Sequence, residues 1–217
     1  MSRYRIDWLD AYREVAEHRK QLPESRLLDY IADIPAGPIL DLGMGRGRHA
    51  LFFAKMGRQV EGVDISEPPE SVRDTIRKER LDLTYHVSDL RDFEIPKGRY
   101  ALIIASRILQ LFRRADIDAI AQRIQAGLKP KGLLYMFVFS VEDLEHIRKR
   151  EAIEEVEENT YYHAEWDLHF HFFSRDEILG LFPDLRILSC MEGLVMERTG
   201  SNKRLNGVVE YVGQRKR

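Results

Sequence analysis

A glycine-rich stretch at positions 39–50 constrains this chain more than any other feature. It reads Ile-Leu-Asp-Leu-Gly-Met-Gly-Arg-Gly-Arg-His-Ala, so a short apolar run reaches Asp41, passes three glycines and enters a helical pattern at Arg48. Glycine lets the backbone take unusual dihedral angles and approach a ligand closely, and the N-terminus of the next helix offers unpaired N–H groups. The stretch predicts a buried strand, a loop for a nucleotide-like ligand and a helix. The alternative is a purely structural turn.

A second acidic residue, Asp64, ends the next strand-like run, 59–63. A carboxylate at this place can accept hydrogen bonds from both hydroxyls of a ribose. The glycines are spaced G-x-G-x-G, so the dinucleotide fingerprint G-x-G-x-x-G is not met, which counts against NAD. Asp41 also suits a cationic ligand better than a pyrophosphate, because an anion beside a carboxylate is repelled. The glycine loop and Asp64 together predict half of a binding site for a nucleotide-like ligand.

Length and charge limit the classes of protein to which the chain can belong. With 217 residues, 44% of them apolar, it is long enough for one well-buried domain, and we expect a single domain over 1–217. A net charge of −2 gives no overall attraction to nucleic acid or anionic membranes. Cys190 is the one cysteine, so no internal disulfide is expected, and no apolar run approaches membrane-spanning length. We therefore expect a soluble, cytoplasmic protein.

Helical and strand-like patterns alternate along the middle of the chain, as a parallel sheet requires. Two helices are expected before the glycine loop, at about 7–21 and 24–33, separated by Pro23. The predicted strands after the first, which begins at Ile39, are 59–63, 83–87, 100–105 and 133–139, and the predicted helices are 48–56, 69–80 and 116–126. This alternation indicates an α/β fold.

The composition changes after Ser140, where a charged helix is expected over 141–159. Alternating apolar residues then predict an extended segment over 166–173, and Ser174 begins a capping box before a short helix. Two final strand-like runs, 185–197 and 205–212, are joined by a turn at 199–202. They predict a terminal antiparallel hairpin.

In this order, the motifs resemble those of the class I S-adenosylmethionine-dependent methyltransferases, over roughly Pro38 to the C-terminus. The resemblance rests on the loop from Asp41 to Arg48, on Asp64, on Asp89 after the third strand, on the strand at 100–105 and on the turn Leu128 to Gly132. It implies a Rossmann-like, seven-stranded, mostly parallel sheet of order 3-2-1-4-5-7-6, with the last strand antiparallel and helices on both faces. The glycine loop and residues 106–112 are similar to tellurite-resistance-type small-molecule methyltransferases.

The resemblance implies S-adenosylmethionine as the cofactor and gives each candidate residue a role. The glycine backbone would contact the amino acid tail, Asp41 would help to hold its ammonium group, and Asp64 would bind the ribose. Asp89 would accept from the adenine amino group, although it can also be a plain loop acid, with Asp92 as the second candidate. The candidate cofactor residues are Asp41, Gly43, Gly45, Gly47, Asp64, Ile65, Asp89, Leu90 and Ser106.

The acceptor is expected at the loop after the fourth strand, since ligands gather at the carboxyl ends of parallel strands. That loop lacks the Asn/Asp-Pro-Pro-Tyr/Phe motif of enzymes that methylate exocyclic or amide nitrogens, which counts against methylation of bases or glutamine. The candidate substrate residues are Tyr4, Trp8, Arg107 and Trp166, and the candidate catalytic residues are Arg107, His163 and His169. No metal is expected, because metal sites use three or four protein ligands.

We therefore expect methyl transfer to a small-molecule acceptor, driven mainly by alignment of the acceptor with the methyl group. Residues 1–36 would cap the active site, 37–140 would bind the cofactor, and 141–217 would form the acceptor side. The alternatives are an RNA or protein methyltransferase, a binding protein that holds the cofactor without turnover, and an NAD-dependent oxidoreductase. There is no strong nucleic-acid signal and no membrane partner is expected.

Overall fold

The computed structural model describes residues 23–143, 153–199 and 202–216. The helix predicted at 7–21 therefore lies outside the described residues, as do the candidate substrate residues Tyr4 and Trp8. The second predicted helix, 24–33, is present as a short α-helix followed by a 3-10 turn at Ile31–Asp33.

The elements follow the alternating pattern predicted through the middle of the chain. The helices are α1 (Ser25–Asp29), α2 (Arg48–Lys55), α3 (Glu70–Glu79), α4 (Arg114–Gly127) and α5 (Arg175–Leu181). The strands are β1 (Ile39–Leu42), β2 (Val60–Asp64), β3 (Leu83–Val87), β4 (Tyr100–Ser106), β5 (Leu128–Phe139), β6 (Glu154–Glu157), β7 (Thr160–His163), β8 (Leu168–His171), β9 (Leu185–Thr199) and β10 (Asn202–Arg215).

A seven-stranded sheet of order β3-β2-β1-β4-β5-β10-β9 forms the centre of the molecule. Strands β1 to β5 pair in parallel, and β10 runs antiparallel to both β5 and β9. Numbered along the chain without the separate small sheet, this order is 3-2-1-4-5-7-6 with a reversed last strand. The predicted Rossmann-like α/β fold is confirmed.

Helices cover both faces of this sheet because its central strands are apolar on both sides. On one face, side chains such as Leu40 and Ile103 form a core with α4 and α5. On the other face, Ile39 and Leu102 pack with α2 and α3. Because both faces are covered, the ends of the strands are where a ligand can reach the sheet, and the glycine loop lies at one of those ends.

The helix predicted at 141–159 is wrong where the structure describes it. Residues Val141–Asp143 form a 3-10 turn, whereas Glu154–Glu157 form β6, which pairs with β7. Together with β8 they form a small antiparallel sheet. A run of glutamates indicates a solvated segment, but it has no periodicity that distinguishes a helix from a strand. Here Arg113 binds Glu157, and tertiary contacts determine that the segment is a strand.

The segment after β7 also differs in detail from the extended run predicted at 166–173. Trp166 lies in the turn between β7 and β8, and only Leu168–His171 form a strand. The capping box is confirmed, because the Ser174 hydroxyl accepts a hydrogen bond from the Glu177 N–H at 3.1 Å and α5 follows. Strands β9 and β10 form the predicted terminal hairpin, each longer than predicted.

Candidate cofactor site

The glycine loop connects β1 to α2 and takes a conformation that requires glycine. The φ angles of Gly43, Gly45 and Gly47 are 69°, 49° and 71°, in the left-handed region that disfavours residues with a Cβ atom. At Gly43 the N–H donates to the Val63 carbonyl at 2.8 Å, and an added Cβ would lie 2.7 Å from Ile108 Cγ1. The loop is therefore hydrogen-bonded to the end of β2, and the Ile108 side chain packs directly against the Gly43 backbone.

Asp64, at the end of β2, binds this loop directly. Its Oδ2 accepts the Gly45 N–H at 2.9 Å, and its Oδ1 accepts both the N–H and the hydroxyl of Ser66 at 3.1 Å. Burial raises the pKa of the carboxyl, against the effect of these hydrogen bonds. A carboxylate offers about four acceptor positions, and a backbone contact from Ile65 adds to these three, so rotation of the Ser66 hydroxyl is what frees a position for a ligand. The group can therefore receive ribose hydroxyls in place of the Ser66 hydroxyl.

Asp41 lies in β1 and is only 2% exposed. Its Oδ2 accepts the Ala50 N–H in the first turn of α2 at 3.0 Å, and its Oδ1 lies 3.9 Å from His49 Nδ1. Burial raises the pKa of this carboxyl to about 6, although His49 and the Ala50 hydrogen bond act in the opposite direction. A carboxyl that burial makes reluctant to ionise gains most from a nearby cation, which fits an ammonium-bearing ligand.

Glu24, immediately before α1, was not identified from the sequence. Its carboxylate binds the Arg48 guanidinium, lies 2.7 Å from His49 Nε2 and accepts the Ser106 hydroxyl at 3.3 Å. Burial raises its pKa, but the hydrogen bond from His49 and the charges of His49 and Arg48 outweigh burial and lower the pKa to about 2. Glu24 thus joins α1, the start of α2 and the end of β4. No local pattern marks it, since its partners lie 24 to 82 positions away.

The acid after β3 is held within its own loop. Asp89 Oδ1 accepts the Arg91 backbone N–H at 2.9 Å and the Arg91 Nε–H at 3.0 Å. Leu90 is 6% exposed and belongs to the core on the α4 side of the sheet, whereas Ile65 is half-buried beside Asp64. Asp89 and Ile65 follow neighbouring strands at the loop edge, while Leu90 contributes chiefly to packing.

The loop after β4 carries the candidate residues Ser106 and Arg107. The Ser106 hydroxyl also accepts from Arg48 at 3.3 Å, so Ser106 is part of the Glu24 network. Arg107 has a φ of 60°, donates its N–H to the Phe137 carbonyl at 2.7 Å and places its guanidinium carbon 4.8 Å from the Phe137 ring centre. A non-glycine residue in the left-handed region is strained, and such residues cluster at functional sites.

The histidine candidates lie in the small sheet and are not brought together. The β7–β8 register pairs Tyr162 with His169 and His163 with Leu168, so the two histidines lie on opposite faces. His163 stacks on the half-exposed Trp166 at 4.2 Å between ring centres. Burial, with the charge of Arg113, lowers the pKa of His169. At most one of the two can therefore face an acceptor bound on a given side.

Two further properties concern the described ranges 23–143, 153–199 and 202–216. No group of three or more His, Cys, Asp and Glu side chains there has the arrangement of a metal site. None of the helices there is long and apolar enough to cross a bilayer.

Comparison with known proteins shows which proteins this chain resembles. Residues 39–132 match a family model described as a methyltransferase domain. A trans-aconitate 2-methyltransferase of Sinorhizobium fredii is 26% identical over 152 residues, which are 69% of this chain and 57% of that protein. The chain spans between 36% and 57% of the length of the curated relatives that it matches.

Two solved structures share the fold over most of the chain. A S-adenosylmethionine-dependent methyltransferase of Methanosarcina mazei has a TM-score of 0.70 at 21% identity, covering 90% of this chain and 99% of its own. The 1,6-didemethyltoxoflavin-N1-methyltransferase of Burkholderia thailandensis, solved with S-adenosylhomocysteine, has a TM-score of 0.71 at 16% identity, covering 97% and 86%. The fold of this chain is therefore that of solved S-adenosylmethionine-dependent methyltransferases, and residues 39–132, which are less than half of the chain, match the methyltransferase-domain model.

Proposed function

We propose that this protein transfers the methyl group of S-adenosylmethionine to a small-molecule acceptor. The observation that carries this proposal is the arrangement of Asp41, the left-handed glycine loop and Asp64 at the carboxyl ends of β1 and β2. The loop offers bare backbone, Asp64 offers acceptors for a diol, and Asp41 offers a buried carboxylate for a cation. These groups fit the cofactor's amino acid tail, ribose and ammonium group.

The bound cofactor would supply a methyl group that its sulfonium already activates. The chain's own residues therefore need chiefly to align the acceptor with the methyl group and to exclude water. Asp64 fixes the loop through Gly45 and would orient the ribose. The Glu24 network would close the site from the α1 side, because it joins α1 to Arg48 and Ser106. This contact supports the capping role proposed for residues 1–36, with 37–140 binding the cofactor.

The acceptor would lie between the loop after β4 and the small sheet. The 3-10 helix Leu109–Leu111 follows Arg107 and packs on β8, which brings the segment 153–171 next to this loop. Arg107 would hold an anionic acceptor by paired hydrogen bonds, and Trp166 would line the site. The names of four relatives refer to trans-aconitate, nocamycin, a dTDP-linked amino sugar and ubiquinone biosynthesis. These names support a small-molecule acceptor.

Calorimetric titration with S-adenosylhomocysteine tests the cofactor half of the proposal. Asp64→Ala should weaken binding about tenfold or more, since hydrogen bonds to a charged group contribute roughly 1.5–3 kcal/mol. Asp64→Asn, which keeps one acceptor for the Gly45 N–H, should show a smaller loss with the loop intact. Asp82→Ala removes an exposed acid just before β3 and should bind as the wild type does. Unchanged affinity in Asp64→Ala would show that the ribose lies elsewhere.

Turnover is tested with labelled S-adenosylmethionine and a panel of small carboxylic acids, phenols and amines. Methylated product from one of these classes is expected. Product formed only with RNA or protein would contradict the small-molecule acceptor while leaving the cofactor site intact. Cofactor binding without product from any acceptor would favour a binding protein. The narrower likeness to tellurite-resistance-type enzymes stays a prediction.

A further inference from the structure

A basic pocket lies at the edge of the sheet opposite the cofactor loop. It has a volume of 310 Å³ and is lined by Lys131, Arg186, Gln214, Arg215 and Lys216. Gln214 pairs with Leu133 early in β5, whereas the loop edge is reached at the end of that strand, Phe139. At about 3.3 Å per residue, the pocket and the loop edge are about 20 Å apart. The pocket is therefore separate from the proposed active site.

Hydrogen bonds organise the floor of this pocket. The Gln214 amide accepts from Arg186 Nη2 at 2.7 Å and donates to the Lys131 carbonyl at 3.3 Å. Arg215 donates through Nη1 to the carbonyl of Gln125 near the end of α4. Each guanidinium is thus held in place by one contact to a neutral oxygen, which leaves its other N–H groups for a ligand.

The charge of the pocket has no counterpart within the described residues. None of Lys131, Arg186, Arg215 and Lys216 forms an ion pair there, although exposed cations elsewhere, such as Arg77 and Lys78, pair with acids. The net charge of the whole chain is −2, so four cations around one concavity are a local excess. Like charges held together repel one another unless an anion joins them.

The backbone at Lys131 supports a use for its side chain. Its φ is 64°, in the left-handed region where glycine is favoured. The adjacent Gly132 has no room for a Cβ, which would lie 2.7 Å from the Tyr100 carbonyl oxygen. This part of β5 therefore has glycine where packing requires it, but has a lysine at the neighbouring strained position, which lines the pocket.

We propose that this pocket binds a small molecule carrying two adjacent phosphoryl groups. Two guanidinium and two ammonium groups match the charge of a diphosphate, and a guanidinium can bind a phosphoryl group through two parallel hydrogen bonds. A concave site of this volume suits a small ligand rather than an extended polymer.

Calorimetric titration of the full chain with inorganic pyrophosphate tests the site. The double variant Arg186→Gln, Arg215→Gln should bind about tenfold more weakly, since each loses charge-assisted hydrogen bonds. The control Arg77→Gln, Lys78→Gln removes the same charge from the exposed face of α3 and should bind as the wild type does. Titration with S-adenosylhomocysteine should give the same affinity in all of these proteins, so the two sites are tested separately.

Lys131→Gly keeps the test valid if the double variant folds poorly. It removes one cation and relieves the left-handed strain, so pyrophosphate binding should weaken while the midpoint of thermal unfolding rises. Three results would contradict the proposed diphosphate site. These are no pyrophosphate binding by the wild type at low salt, an equal loss of pyrophosphate affinity in the α3 control, or binding of oligonucleotides without binding of pyrophosphate. The last result would assign the surface to nucleic acid instead.

Discussion

Replacing Glu24 by glutamine tests how far the cofactor loop depends on a residue outside it. The side chain keeps its size, but Arg48 and His49 lose their anionic partner in a largely buried position. A pKa lowered from 4.5 to about 2 corresponds to a contribution of about 3 kcal/mol to stability at neutral pH, at about 1.4 kcal/mol for each unit. We expect Glu24→Gln to lower the free energy of unfolding by about this amount.

Urea unfolding at a series of pH values measures this contribution. Because the folded-state pKa of Glu24 is lowered, its stabilisation is present above pH 4.5 and is lost as the pH falls towards 2. The difference between wild type and Glu24→Gln should therefore be constant between pH 7 and 5 and fall to less than half by about pH 3. Glu79→Gln, which breaks the exposed pair with Lys55, should cost less than about 1 kcal/mol. A difference that does not depend on pH would refute the electrostatic explanation.

Substitutions at Asp41 and Gly43 act on the end of β1 and on the glycine loop that follows it. Asp41→Asn keeps an acceptor for the Ala50 N–H but removes a buried charge, so it should raise stability at pH 7 by up to about 3 kcal/mol while weakening S-adenosylhomocysteine binding. Because the pKa of Asp41 is raised to about 6, the wild type should lose stability as the pH rises from 4 through 6, and the variant should not. Gly43→Ala should destabilise the protein by more than Gly57→Ala, as measured by thermal unfolding. Both have positive φ, at 69° and 77°, but only at Gly43 does the added Cβ meet a neighbour, Ile108. Equal effects would mean that Ile108 moves aside freely.

The glycine loop could be predicted because its signal is local. Asp41, the glycines and Arg48 lie within eight positions, and strand, loop and helix follow one another without a long-range choice. Asp64 could be found because strands β1 and β2 are adjacent in a parallel sheet, so their carboxyl ends meet. The sheet order followed from the resemblance as a whole and not from any single strand.

The rest of the site depends on tertiary packing that the sequence does not display. Glu24 reaches Ser106 across 82 positions, and no period or spacing links them. The small sheet was missed for a related reason: Glu154–Glu157 become a strand because β7 offers an edge to pair with, and the charge run alone fits a helix equally well. The basic pocket is lined by residues of β5, β9 and β10, and only the register of the hairpin brings Lys131 and Arg186 to the same pocket.

One imidazole connects the two acids whose pKa values move in opposite directions. His49 lies 2.7 Å from Glu24 through Nε2 and 3.9 Å from Asp41 through Nδ1. Arg48 binds Glu24 directly but acts on Asp41 only at longer range. The positive charge therefore stabilises the Glu24 carboxylate, whereas burial still destabilises the charged form of Asp41. The start of α2 therefore holds one carboxylate that is already satisfied and one that still gains from a cation. A ligand that brings an ammonium group to the glycine loop supplies that cation, which is why the buried acid favours S-adenosylmethionine over an anionic dinucleotide at this end of the sheet.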